Sequence, residues 1–306
     1  MGVSDTPLTS RYPITAPLDL ARTLGIHRRG SGDPTVRVDA GRWWFARREE
    51  DGPALLHLER IHDHIDARAW GPGARQALAA VPRLLGHGDD WSGLDLDAQP
   101  ILRDLLRRHP GLRLSASERV FDALVPAIIE QKVTGVEAWG SWRRLLRAHG
   151  ERPPGPAPEG MVVPPTAEVW RRIPSWQWHR AGVGPERSRA IVRAAERGPA
   201  LERLAAVDAD EARRRLESLP GIGPWTSAET LLRSHADPDA VSIGDYHLAR
   251  TVGFAFTGTP TTDAGMLDLL APWAGQRQRI LRLIGIAGIR TPPRGPRMTI
   301  QDHRQH

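Results

Sequence analysis

The sequence predicts an α+β protein in which an N-terminal antiparallel-sheet domain precedes a mainly α-helical body. The chain has 306 residues with 40% apolar content, which is enough for two cores. Runs rich in β-formers occur in residues 35–70, and apolar residues take up helical spacing after Ser115. We therefore expect a sheet domain over 1–110, a helical domain over 111–290 and a flexible C-terminal tail over 291–306.

The strands of the first domain are predicted from alternating or β-branched and aromatic runs. Gly41 and the segment Asp51-Gly-Pro53 separate these runs and are typical of turns. Short strands joined by such turns favour an antiparallel sheet. The expected strands are Thr35–Val38, Arg42–Phe45, Leu55–Leu58 and Arg60–Ile65.

The first helix of the body is predicted to follow Ser115 and Glu118, which have the spacing of a capping box. Helices are then expected to dominate to about Ile289, and the proline-rich segment 153–158 is interpreted as a surface loop between helices. The apolar positions of the first helix are Val120, Phe121, Leu124, Val125, Ile128 and Ile129.

A helical hairpin is predicted further along the chain. Asp208 and Glu211 have capping-box spacing, which indicates a helix from about Ala209 to Ser218. Pro220 follows that helix and ends it, and Pro224 suits the first turn of the next helix. The product is two helices joined by a tight glycine turn.

The string Leu219-Pro-Gly-Ile-Gly-Pro-Trp-Thr226 predicts a phosphate site at this turn. Gly221 and Gly223 permit positive φ and let a phosphate approach the backbone closely, because neither residue has a Cβ. The free N–H groups of the turn and of the residues near Thr226 point outward, with the positive end of the second helix dipole behind them. Two glycines that merely close a hairpin are the alternative, and the length of the string argues against it.

An isolated acid follows in Ile243-Gly-Asp245-Tyr246. A carboxylate held at such a position can stabilise positive charge that develops on a bound substrate. Asp245 is the candidate for a catalytic carboxylate. The same residue also has the position of an N-cap for a helix that starts at Tyr246, and the two roles are compatible.

Residues 219–230 resemble the helix-hairpin-helix of the DNA glycosylase (HhH-GPD) superfamily. Gly223-Pro-Trp-Thr226 together with Gly244-Asp-Tyr246 is similar to its alkylpurine, or 3-methyladenine, branch. The resemblance extends over about 115–290. It implies a monofunctional DNA glycosylase that hydrolyses the N-glycosidic bond of flipped-out alkylated purines in base excision repair, with Asp245 catalytic.

The resemblance also implies the other site residues. Trp225 and Tyr246 would form the substrate pocket. Contacts to DNA would come from Gln131, Lys132, Val133, Thr134, Gly221, Gly223 and Thr226. Backbone carbonyls near Glu217, Leu219 and Gly221 would hold a structural monovalent cation.

Two residue types restrict the mechanism. Bifunctional glycosylase-lyases attack the sugar with a lysine amine, and Trp225 stands where the resemblance places that lysine. Lys132 is the single lysine of the chain and is distant in sequence. The chain has no cysteine, which excludes the iron–sulfur cluster of the endonuclease-like members, disulfides and cysteine-bound zinc. No lyase activity and no required cofactor are therefore expected.

The sequence departs from the family pattern at two positions. Lys132 stands where an intercalating side chain, often apolar, follows Gln131. An aromatic ring is expected in the pocket about twelve residues after Trp273, but this neighbourhood reads Leu283-Ile-Gly-Ile286. We therefore expect a more open or differently shaped pocket than in the family, so its substrate range does not simply transfer to this chain.

The resemblance implies double-stranded DNA with damaged bases as the partner. The net charge of +6 and the pI near 10.8 permit a polyanionic ligand without demanding one. The N-terminus has no long apolar segment, so a cytoplasmic, nucleoid-associated monomer without membrane contact is expected. Three alternatives stay open: a non-catalytic helix-hairpin-helix DNA-binding or scaffold protein, a glycosylase for a different lesion class, and a bifunctional lyase that uses Lys132.

Overall fold

The computed structural model describes residues 6–289, so the predicted tail over 291–306 lies outside the described residues. The strands in this range are β1 Leu8–Pro13, β2 Val36–Asp39, β3 Arg42–Glu49, β4 Gly52–Ile61 and β5 His64–Trp70. They form one antiparallel sheet in the order β1-β5-β4-β3-β2, and the predicted α+β class is confirmed. No sequence pattern predicts β1, because it is an edge strand whose side chains are exposed or only half-buried.

Both faces of the sheet are covered. Phe45 lies in the core that the sheet shares with the helices after it, and it stacks on Trp43 with ring centroids 6.1 Å apart. On the opposite face, Trp70 packs with Met161 and Val163. The loop that contains the proline-rich segment 153–158 is thus an irregular connection, as predicted, but it also covers the second face of the sheet.

The helices in the described range, apart from short 3₁₀ turns, are numbered in chain order. The first seven are α1 Leu20–Leu24, α2 Ala74–Ala79, α3 Val81–Leu84, α4 Pro100–Arg108, α5 Val120–Ile129, α6 Gly135–His149 and α7 Ala167–Arg172. The remainder are α8 Ser175–Ala181, α9 Pro185–Ala195, α10 Gly198–Glu202, α11 Ala209–Glu217, α12 Pro224–Ser234, α13 Leu248–Thr257, α14 Asp263–Leu270 and α15 Arg277–Ala287.

Two apolar cores hold the helical body together. All residues of α5 except Asp122 are buried, and α5 packs against α9 and α12 at the centre of the first core. The second core joins α13, α14 and α15 to residues 94–112, which include α4. The chain before residue 110 therefore contributes to the helical body as well as to the sheet.

The predicted capping box at the start of α5 is wrong. Ser115 is buried, and its hydroxyl donates to the Leu84 carbonyl instead of capping a helix. Glu118 has a positive φ of 57° and pairs with Arg83. The first N–H of α5, that of Val120, donates to the Glu202 carboxylate at 2.8 Å. A distant side chain has taken the place of a local cap, which spacing along the chain does not reveal.

Candidate active site

The hairpin has the predicted form. The Asp208 carboxylate accepts the Glu211 N–H at 2.8 Å and starts α11, which ends one residue before the predicted Ser218. Gly221 has a φ of +95°, a region that favours glycine. Gly223 has φ −114° and ψ −175° and caps α12, which begins at Pro224 as predicted. Only the first of the two glycines therefore uses the left-handed region.

The turn presents free donors to the solvent. Within residues 6–289, the N–H groups of Gly221 and Gly223 have no hydrogen-bond acceptor, and they lie at the N-terminal end of α12. A Cβ on Gly223 would meet no heavy atom of the described chain within 4 Å. Arg193, on α9, donates to the Pro220 carbonyl at 3.2 Å and brings a cation to the same turn. Donors, helix dipole and cation together make an anion site.

The turn after α5 is tied to the hairpin. The Gln131 side-chain amide donates to the Gly221 carbonyl at 2.9 Å and to the Thr226 hydroxyl at 2.8 Å. Thr226 is only 2% exposed, so its side chain braces the hairpin from inside. The structure brings these predicted DNA contacts together, but the side chains of Gln131 and Thr226 bond to each other.

The residues after Gln131 differ in what their side chains do. Val133 packs against the helical core, and Thr134 forms a capping box with Glu137 at the start of α6. Lys132 has a φ of +55° and an exposed side chain. Of the side chains from Gln131 to Thr134, that of Lys132 alone is fully open to an approaching duplex.

Asp245 combines the two roles that the sequence allows. One carboxylate oxygen, Oδ1, accepts the N–H groups of His247 and Leu248 at 2.8 Å each, so the residue caps α13 at Leu248 rather than at Tyr246. The other oxygen, Oδ2, is 3.4 Å from the Trp225 indole Nε1, which donates to it. Backbone donors fix the carboxylate, and Trp225 links it to the hairpin helix α12.

The Asp245 carboxylate lines a cleft of about 570 Å³. Residues of α1, α12, α13 and α15 line it, so the second hairpin helix, α12, and the C-terminal helices α13 and α15 border the same cleft. Of the two predicted pocket residues, Trp225 bonds the Asp245 carboxylate but does not line this cleft, and neither does Tyr246. Its side chain is 64% exposed and meets the His247 ring edge-on, with centroids 4.8 Å apart.

Curated sequences similar to the chain are DNA repair proteins. DNA-3-methyladenine glycosylase from Bacillus subtilis is 25% identical over 199 residues, which are 60% of this chain and 65% of that protein. A probable bifunctional transcriptional activator/DNA repair enzyme AlkA from Mycobacterium tuberculosis is 29% identical over 248 residues, which are 78% of this chain and 49% of that protein. The chain thus spans about half to two thirds of these relatives. No protein-family model matches it.

Solved structures share the fold. The 3-methyladenine DNA glycosylase from Archaeoglobus fulgidus superposes with a TM-score of 0.75 at 18% identity, over 90% of this chain and 97% of that one. The 8-oxoguanine glycosylase/lyase from Clostridium acetobutylicum gives 0.67 at 12% identity, over 93% and 99%. The curated relatives and the shared fold support the helix-hairpin-helix DNA glycosylase superfamily. The names of the curated relatives support the 3-methyladenine branch that the hairpin motif predicts.

A second carboxylate lines the cleft beside that of Asp245. Glu229 lies one helical turn after Trp225 on α12, and it accepts a hydrogen bond from the Ser242 hydroxyl at 2.5 Å. Burial raises the pKa of Glu229, but the Arg233 guanidinium at 2.6 Å and the Ser242 hydroxyl outweigh burial and hold the pKa below its ordinary value. Glu229 stays ionised and braces α12 against Ser242. The four-residue spacing from Trp225 was the signal that sequence reasoning missed.

The face of α15 that lines the cleft carries Gln278, Arg282 and Gly285. Gln278 is 8% exposed, and among the described residues its side-chain amide has no hydrogen-bond partner. The Arg282 guanidinium donates to the Arg22 carbonyl, and burial lowers the pKa of Arg282. Gly285 stands where the relatives are expected to place an aromatic ring.

The described part of the chain has neither a metal cluster nor a membrane-spanning helix. Between Thr6 and Ile289, no group of three or more His, Cys, Asp or Glu side chains is arranged to hold a metal ion. The helices of this same range are too short or too polar to cross a bilayer.

Proposed function

We propose that this chain hydrolyses the N-glycosidic bond of alkylated purines in duplex DNA. The observation that carries the proposal is the position of Asp245. Its carboxylate lines a cleft of about 570 Å³ and accepts a hydrogen bond from Trp225, on the helix that starts at the two-glycine turn. A base inside a duplex is out of reach, so the nucleotide has to be extruded into the cleft while the turn holds its backbone.

The chemistry follows from how Asp245 is held. Two backbone N–H groups fix Oδ1, so the carboxylate needs no reorientation when positive charge develops on the sugar. Oδ2, with one long contact to Trp225, is the oxygen that supports the oxocarbenium-like cation and orients the attacking water. A purine nucleotide alkylated at N3 or N7 is already cationic when bound, and its base leaves as a neutral molecule, so no general acid is needed.

Monofunctional chemistry is part of the proposal. Trp225 occupies the hairpin-helix position that a lyase fills with lysine. Lys132, the single lysine of the chain, lies on the turn after α5 and does not line the cleft. Water is then the nucleophile, and the products are a free base and an abasic site in an unbroken strand.

The proposed partner is double-stranded DNA, bound by a monomer at the cytoplasmic nucleoid. The Gly221 and Gly223 amides and Arg193 contact phosphates, which carry no sequence information, so binding is sequence-tolerant and weakens with salt. Lys132 enters the gap left by the extruded nucleotide through its aliphatic stem or pairs with a phosphate.

A monovalent cation at the hairpin would use the backbone carbonyls of Glu217, Leu219 and Gly221. Leu219 O accepts the Ile222 N–H at 3.0 Å, and Gly221 O accepts the Gln131 amide at 2.9 Å. A carbonyl oxygen has a second lone pair, so the set remains compatible with a monovalent cation that supports the turn.

The test is release of bases from methylated duplex DNA, measured by chromatography of the free bases. We expect alkylpurines to be released and strands to break only after alkali. Failure to release any base from alkylated, oxidised and deaminated duplexes would favour the non-catalytic DNA-binding alternative. Release of oxidised or deaminated bases alone would indicate a different lesion class. A protein–DNA adduct trapped by borohydride, and lost in Lys132→Arg, would indicate a lyase.

A further inference from the structure

We infer that the cleft accepts purines whose N-alkyl substituent is much larger than methyl, with the substituent lying against Gly285 of α15. This inference rests on the proposed function and specifies its substrate class. It is carried by the conformation of two glycines, the volume of the cleft and the apolar part of its wall.

Gly285 lies within α15 and lines the cleft. It has no positive φ, so its backbone does not require glycine, and glycine stabilises a helix less than alanine does. A Cβ at this position would meet no heavy atom of residues 6–289 within 4 Å. The absent side chain therefore leaves open space that neither backbone strain nor close packing explains.

Gly25 repeats this arrangement on a different segment. It follows α1, lines the same cleft and has an ordinary φ of −58°. A Cβ there would also lie more than 4 Å from any described heavy atom. Two walls of one cleft thus carry glycines whose missing side chains widen it.

The cleft is larger than a methylated base needs. A dry cavity of about 150 Å³ is enough for a benzene ring. A cleft of about 570 Å³ therefore holds a two-ring purine and leaves room for a further ring-sized group.

The chemistry of the wall indicates which substituents fit. Gln278, 8% exposed and without a side-chain partner among the described residues, offers one amide to the polar edge of the base. Part of the remaining wall is apolar and can pack against an alkyl or aryl group, while Arg22, Glu229, Asp245 and Arg282 supply charged groups to the rest. The apolar residues are Ala21, Ile26, Leu232, Leu248, Leu281 and Ile286.

The experiment compares two duplex oligonucleotides, one with a single 7-methylguanine and one with a single 7-benzylguanine. Base release is measured in single turnover and corrected for enzyme-free depurination. We expect the wild type to release both bases. In Gly285→Phe the ratio of the 7-benzylguanine release rate to the 7-methylguanine release rate should fall by about tenfold or more. The phenylalanine ring would occupy the space that the benzyl group needs, and forcing both groups into that space is costly.

The controls separate steric filling from other effects. Ala287→Phe places the same ring on α15 at a residue that does not line the cleft, and the rate ratio should stay at the wild-type value. Gly285→Leu, which favours the helix, should lower the ratio less than phenylalanine does and covers the case of a poorly folded Phe variant.

The possible outcomes of this experiment distinguish the inference from the proposed function. Release of 7-methylguanine without 7-benzylguanine by the wild type overturns the inference and leaves the proposed function standing. A ratio that stays unchanged in both the Phe and Leu variants of Gly285 also overturns it. Release of neither base by the wild type overturns the inference, and it overturns the proposed function as well if methylated duplex DNA also yields no free base.

Discussion

The two hairpin glycines differ in conformation, so the same substitution at each separates folding from DNA binding. Gly221 has φ +95°, and a Cβ there would lie 3.0 Å from the Ala190 Cβ. Gly223 has φ −114° and ψ −175°, which any residue adopts, and its Cβ would point into open space. Gly221→Ala should therefore destabilise the fold, whereas Gly223→Ala should obstruct the phosphate site.

The magnitudes follow from these geometries. A left-handed alanine costs about 1–2 kcal/mol, and the tight contact with Ala190 adds to it, so Gly221→Ala should lower the free energy of unfolding by about 1–3 kcal/mol. For Gly223→Ala, the loss of a glycine N-cap is offset by the lower entropy of the unfolded chain, and the net change should stay within about 0.5 kcal/mol. Lost bonds to phosphate, about 1.5 kcal/mol, would weaken duplex binding about tenfold.

Urea unfolding gives the stability of each variant, and fluorescence anisotropy with a labelled duplex at one fixed salt concentration gives the affinity. Neither variant should change which base is released. The reasoning is refuted if Gly221→Ala unfolds like the wild type, or if Gly223→Ala binds duplex DNA with wild-type affinity.

Three further predictions concern charged groups. Arg193→Ala should weaken duplex binding and reduce the slope of log K against log salt by about 1. Arg197 makes no bond to the hairpin, so Arg197→Ala should leave the slope unchanged. Equal slopes for the wild type and both variants would contradict the phosphate contact of Arg193. Lys132→Met should keep more base release than Lys132→Ala if the aliphatic stem fills the gap, and equal losses would indicate that the charge matters instead. Burial and the nearby Asp122 charge raise the pKa of Glu202 to about 8, above its ordinary 4.5. Such a carboxyl stabilises the fold below about pH 4.5 and loses this contribution as pH rises through 8, so the melting temperature should fall from pH 6 to pH 9. The fall should be smaller in Glu202→Gln. Parallel curves of melting temperature against pH for the two proteins would contradict this assignment.

The sequence predicts those parts of the fold that depend on neighbours in the chain. The hairpin could be placed because Asp208, Gly221 and Pro224 each act on the backbone within a few residues. Three of the predicted strands could be placed because their side chains alternate between two buried faces. The predicted strand Arg60–Ile65 is wrong, because His62, with a φ of +50°, and Asp63 form the turn between β4 and β5. The edge strand Leu8–Pro13 could not, because its half-exposed side chains give no apolar pattern and its partner is more than fifty residues away.

The site is harder to predict because its contacts join distant segments. The Gln131 amide reaches Gly221 and Thr226, which lie 90 and 95 residues further along the chain. Sequence reasoning assigned all three to DNA contact, but the structure uses two of the side chains to brace the hairpin. Gln278 lines the cleft only because α15, which packs against α4 and α13, shares the cleft with α1 and α12, and no local motif records that arrangement.

The central claim is that Asp245 supports the sugar cation, and base release by Asp245→Asn tests it most directly. Asparagine keeps an oxygen for the His247 and Leu248 amides, so the cap of α13 is retained. Asp263→Asn is the matched control, since Asp263 bonds the neighbouring Gly244 amide and does not line the cleft.

In single-turnover release of 7-methylguanine from duplex DNA, Asp245→Asn should be slower than wild type by roughly 100-fold or more, with unchanged duplex affinity. The Asp263→Asn rate should match that of the wild type. Equal rates for Asp245→Asn and the wild type would contradict the account.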